Sequence, residues 1–268
     1  MTAPYPFRVL RNRAGCVFLS AFKGPIDYAI MRPGEATLYI TSYDQALDLS
    51  LIPEQITELH LVECGSLSAL AALNAGVNSL YISRCPNLHN LDGYVASLLA
   101  HQGSLSDSLT SLDVQNFGAL SWDTSRLPRK LRYLSIRNGF GIAEMRNLPV
   151  TLEELYLIKV EPVAELDALP EKLKRLSLSG LSQLSDLSML PQELQSLYIN
   201  GCPKVETLPF RHSLTALTLR HHVTLSVHTP DGQDVIEDRQ VSMTTEYVAL
   251  LKEYDEHVIS RKKRALAA

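Results

Sequence analysis

The sequence predicts an α/β repeat solenoid. Coils of about 21 residues would stack to form a curved parallel β-sheet on the concave side. The convex side would be mostly irregular, with a cap at each end. Three observations predict this. A ten-residue pattern recurs about every 21 residues, two of its positions are aliphatic in every copy, and a proline recurs near its start.

The repeat is clearest in LPRKLRYLSI at 127–136, LPVTLEELYL at 148–157, LPEKLKRLSL at 169–178 and LPQELQSLYI at 190–199, each 21 residues after the last. The same register extends to nine units over 35–225, beginning at Glu35, Ile56, Val77, Leu109, Leu131, Leu152, Leu173, Leu194 and Leu214. Position four is leucine in all nine, from Leu38 and Leu59 to Leu197 and Leu217. Position six is aliphatic in all nine, from Ile40 to Leu219. LxxLxL is a short strand whose alternate residues face opposite sides, so positions four and six point into the coil. One coil cannot bury that row alone, whereas stacked coils share one core. Pro53, Pro128, Pro149, Pro170 and Pro191 stand three residues before a unit. Proline lacks an N–H and biases its predecessor toward extended backbone, which suits a turn feeding a strand and argues against long convex helices.

These LPxxLxxLxL units resemble the leucine-rich-repeat family, in particular the LPX-type repeats of bacterial type III effectors. The resemblance covers about residues 35–225. It implies a leucine-rich-repeat solenoid that binds another protein, for an effector a host protein. The asparagine usual at position nine is absent, and Cys64, Cys85 and Cys202 hold that place in three units. The ubiquitin-ligase effectors of that group carry a large catalytic domain beyond the repeats. Only about 43 residues follow the repeats here, so that activity does not carry over.

The ends read as caps. Residues 1–34 suggest a β hairpin, with FRVL, a turn at NRAG and then CVFLS. Residues 226–268 suggest a hairpin followed by a helix from about 242–245, with Tyr247, Leu250, Leu251, Tyr254 and Val258 on one face. The 93–108 segment is an 11-residue insertion with short-helix spacing. It reads equally as a functional loop or an inert bulge.

The chemistry is sparse. No phosphate loop, GxSxG elbow, HExxH or paired-cysteine zinc pattern occurs. The cysteines at position nine read as small buried hydrophobes. His212, His221 and His222 form a cluster that could in principle meet around a metal, but no metal and no cofactor is expected. Net charge of −4 and 46% hydrophobic residues point to neither nucleic acid nor a membrane surface. No run reaches the ~18 apolar residues that a spanning helix needs. The expectation is a soluble monomer, in the bacterial cytoplasm or translocated into a host cell. An enzyme with its site in the caps or insertion, and a cytoplasmic partner-binding or immunity protein, are the alternatives.

The outward strand positions carry the site expectation. Position five, taken down the units, includes Tyr39, His60, Tyr81, Asp113, Tyr156 and Tyr198, with four of the chain's eleven tyrosines. Position three adds Tyr133, Glu154 and Arg175, and position seven adds Arg137 and Arg220. Tyrosine also packs well on any sheet. Tyrosine and arginine nonetheless dominate binding hot spots, so these eleven residues are the expected partner-binding set on the concave face. Nine strands ~4.8 Å apart span roughly 38 Å, enough for on the order of 600 Å² of interface.

Overall fold

Each LxxLxL segment becomes a strand of five to eight residues because a period-two pattern buries alternate side chains only when extended. In a computed structural model that describes residues 8–20, 24–67, 73–74, 76–88, 108–116, 127–141, 145–166, 169–209, 213–220, 225–229 and 232–236, these segments form one sheet. Its strands are β1 (Arg8–Arg11), β2 (Cys16–Ser20), β3 (Thr37–Thr41), β4 (Glu58–Val62), β5 (Ser79–Ser83), β6 (Ser111–Gln115), β7 (Tyr133–Phe140), β8 (Glu154–Glu161), β9 (Arg175–Ser179), β10 (Ser196–Asn200) and, after the short β11 (Thr207–Pro209), β12 (Ala216–Arg220). From β2 onward the pairing in this sheet is parallel, and β1 closes its N-terminal edge as the antiparallel arm of a hairpin.

Register follows the repeat. Leu59 pairs with Leu80, and Leu80 with Leu112 across the long unit, so the insertion does not shift the ladder. Positions four and six are buried throughout, from Leu38 and Ile40 to Leu217 and Leu219. The proline carbonyls close the turn into the strand. Pro53, Pro128, Pro149, Pro170 and Pro191 each accept from the position-one N–H three residues on, at 2.9–3.4 Å.

At position eight every coil described there bends through the left-handed region. Ser42, Glu63, Arg84, Asn116, Asn138, Lys159, Gly180 and Gly201 have φ between +51° and +64°. This bend turns position nine inward, where Tyr43, Cys64, Cys85, Val160, Leu181 and Cys202 are buried. The three cysteines are free thiols in the core.

The α/β assignment is corrected: among the described residues there is no α-helix, and these residues form a β-solenoid. Among the described residues the return side holds two 3₁₀ turns, Tyr28–Ile30 and Leu49–Leu51. The reason lies in the spacing of the inward residues there. Leu181, Leu184, Leu187 and Leu190 are all buried and recur every third residue, which fits turns and extended backbone rather than a 3.6-residue helix. Aspartates at position fourteen tighten the same corner. Asp27, Asp48 and Asp186 each accept from the N–H two residues later, at 2.7–2.9 Å.

A second sheet joins β11 to the hairpin β13 (Leu225–Thr229) and β14 (Gly232–Ile236), with β11–β13 parallel and β13–β14 antiparallel. The expected helices at 93–108 and after 242 lie outside the described residues, except that Ser108 donates to the Val77 carbonyl. The N-terminal hairpin is locked by Arg11, whose Nε donates to Glu35 Oε1 at 2.6 Å and whose Nη2 donates to the Ile30 carbonyl at 2.6 Å. This explains the one acidic residue at position one. Glu35 meets a charged partner from the hairpin where the other units carry an apolar side chain.

Candidate functional site on the outer sheet face

Parallel, in-register stacking turns each outward repeat position into a straight column. Column five holds Tyr39, His60, Tyr81, Asp113, Ser135, Tyr156, Ser177, Tyr198 and Thr218 on successive strands of the sheet from β3 to β12. Column three brings Tyr133, Glu154 and Arg175 together on β7, β8 and β9. Arg137 and Arg220 stand in column seven. The structure therefore gathers the expected residues into three groups, with Tyr198 and Arg220 beyond them.

The first group is a ring ladder. Tyr39 and His60 stack at 4.0 Å between centroids, and His60 and Tyr81 follow at 5.2 Å. Sequence reasoning missed its first rung, Phe18 on β2, which stacks on Tyr39 at 4.4 Å. The signal was present, because Phe18 lies 21 residues before Tyr39 and its neighbours Val17 and Leu19 are buried as positions four and six are. His60 Nε2 lies 2.7 Å from Glu58 Oε1, and the Gln115 amide donates to the Tyr81 hydroxyl.

The second group is polar. Arg137 Nη2 lies 3.5 Å from Asp113 Oδ2, and Arg137 Nε donates to Ser135 Oγ at 2.9 Å. Asp113 Oδ1 is buried with no hydrogen-bond partner among the described residues. Burial raises the Asp113 carboxyl above the ordinary aspartate range. The Arg137 charge and the Ser135 hydroxyl offset that only in part.

The third group joins aromatic and charged side chains. The Tyr156 hydroxyl donates to Glu154 Oε2 at 2.9 Å, and Arg175 Nη1 donates to Glu154 Oε1 at 2.7 Å. Tyr133 lies against Tyr156 with ring centroids 5.4 Å apart. Burial, then the hydrogen bond to Glu154 and its charge, push the Tyr156 phenol up to about 12. Beyond it the column drops to the buried Ser177 and rises again at Tyr198. The result is a depression of about 300 Å³ lined by Tyr156, Arg175, Leu176, Ser177, Ser196 and Tyr198.

Among the described residues no group of three or more His, Cys, Asp or Glu side chains is placed to hold a metal ion. The histidines at 212, 221 and 222 lie outside those residues. No helix among the described residues is long and apolar enough to cross a membrane.

No protein-family model and no curated protein matches the chain. Among solved structures, the crystal structure of CroV588, a novel circular LRR protein, is similar, with a TM-score of 0.55 at 20% sequence identity over 72% of this chain. This chain covers 28% of that one. At such identity the likeness concerns the fold alone, a repeat solenoid.

Proposed function

We propose that this chain is a non-catalytic protein-binding scaffold that holds a partner protein on the outer, concave face of its main sheet. The observation that carries this reading is the in-register display of tyrosine and arginine on rigid parallel strands, with a depression between Tyr156 and Tyr198. Tyrosines fixed on a sheet lose little rotamer freedom on binding, and they combine apolar area with a polar tip. The LPxxLxxLxL resemblance extends the proposal to a bacterial effector whose partner is a host protein. Translocation of a reporter fused behind the N-terminal residues tests that extension.

The binding reading is tested by affinity capture with the wild-type chain and with a Tyr156→Ala/Tyr198→Ala/Arg175→Ala variant. A partner held by wild type and lost by the variant, at an unchanged unfolding midpoint, is the expected result. Equal capture by both would move the site off this face.

A further inference from the structure

Column five is a series of rungs at the strand spacing of ~4.8 Å. From β2 to β5 every rung is a ring, and successive centroids lie 4.0–5.2 Å apart. From β8 to β10 the rungs are Tyr156, Ser177 and Tyr198, so the middle ring is missing. Rings two rungs apart are separated by roughly 9.6 Å. A third ring placed midway would lie roughly 4.8 Å from each. That spacing falls inside the range of the protein's own ladder and suits aromatic pairs. Ser177, at 9% exposure, floors the gap, and Leu176 and Ser196 complete its lining.

Charge indicates what carries the ring. Arg175 stands at the rim with its side chain 60% exposed. Among the described residues it holds Glu154 through Nη1, and a guanidinium has five N–H donors in all. On β9, β10 and β12 the outer positions present Arg175 and Arg220 and no carboxylate.

We propose that this notch takes a planar aromatic side chain from an acidic segment of a partner protein. The ring enters between Tyr156 and Tyr198 above Ser177, and a neighbouring carboxylate reaches Arg175. The proposal rests on the reading that this face binds protein, and it names the part of the partner that the face selects. A nucleobase would also stack here. Phosphate-led binding, however, calls for several cations along a groove, and the chain carries a net charge of −4.

The test uses the full chain and end-blocked pentapeptides. One has a tryptophan flanked by two glutamates on each side, a second has leucine in place of the tryptophan, and a third has lysines in place of the glutamates. Binding is followed through backbone amide resonances. The glutamate–tryptophan peptide should shift Leu176, Ser177 and Tyr198 and bind at least ~10-fold tighter than the other two. Ser177→Phe fills the rung from within and should lose at least ~10-fold, as should Tyr198→Leu, while Tyr198→Phe restores most of the affinity. Melting of each variant is measured, and where one unfolds early the peptide series on wild type decides. Equal affinity for the tryptophan and leucine peptides, shifts confined to other strands, or tighter binding of a short oligothymidylate at the same resonances would overturn the proposal. If Tyr156→Ala and Tyr198→Ala weaken a native partner while Ser177→Phe does not, the face still binds protein and only the ring slot falls. If no variant on the face matters, both readings fall.

Discussion

The two halves of column five use one scaffold in different ways. Between β2 and β5 the outward side chains are consecutive rings, the first three stacked and Tyr81 tilted against His60. Between β8 and β10 two tyrosines flank a serine, and Tyr198 has no ring contact among the described residues. The in-register parallel pairing and the buried aliphatic rows beneath are common to both. A ring on every rung satisfies itself and contributes to stability. Leaving out one ring exposes two faces at a spacing that suits a third, and on the proposed reading this turns packing surface into binding surface. In a solenoid this needs only one small residue in place of a large one, because the backbone period holds the neighbouring rungs in place.

The comparison requires first that both halves share one core. Leu59 and Leu176 occupy position four in the two halves and are 0% and 2% exposed. Alanine at either should cost about 2–5 kcal/mol in urea unfolding, and a loss below ~1 kcal/mol at one of them would show that the halves differ beneath the surface.

The ladder itself gives the next largest effect. Tyr39→Ala removes two stacked pairs and should cost about 1–3 kcal/mol of stability. Tyr198→Ala should change stability by less than ~0.5 kcal/mol, as for an ordinary surface site. Equal losses at both positions would erase the distinction.

Gly201 sharpens the account of the shared bend. Its φ is +61°, and a side-chain carbon placed there would meet nothing closer than 3.8 Å. Gly201→Val should therefore lose about 1–3 kcal/mol through backbone strain alone, read from the shift in unfolding midpoint. An unchanged midpoint would show that the bend relaxes freely.

The smallest effect concerns the joint between the halves. Burial raises the Asp113 carboxyl, so the folded chain keeps that proton to higher pH than the unfolded one. Between the two pKa values the folded state binds more protons, and stability falls as pH rises through that window. Asp113→Asn removes the burdened charge. The variant should exceed wild type in stability at about pH 7, with the gap narrowing toward about pH 4. A gap that widens in acid would contradict the assignment.

The period, the strand register and the inward rows were legible because a two-residue alternation allows only one face to be buried. Leucine at position four therefore predicted the pairing even across the long unit, where Leu80 meets Leu112. The return side was not legible as α or β from the unit length. Its three-residue spacing, Leu181 to Leu190, was the informative feature. The bend at position eight was half hidden. Gly180, Gly201, Asn116 and Asn138 advertise left-handed backbone, whereas Ser42, Glu63, Arg84 and Lys159 do not. All eleven expected site residues fall in the three outward columns, because column membership follows from register. Their pairings do not follow from it. That Glu154 takes both Tyr156 and Arg175, and that Ser177 leaves a notch, depends on rotamers and on which neighbours are small. Phe18 shows the opposite failure, since a cap boundary at residue 34 conceals a rung that the 21-residue offset reveals.

On the proposed reading, the interrupted half of the outer face binds a partner while the continuous half stabilises the fold. Partner affinity measured for Tyr156→Ala/Tyr198→Ala/Arg175→Ala, with the unfolding midpoint recorded on the same samples, tests it most directly. A loss of at least ~1–2 kcal/mol in affinity at an unchanged midpoint is the predicted result. Wild-type affinity in the triple variant would contradict the account.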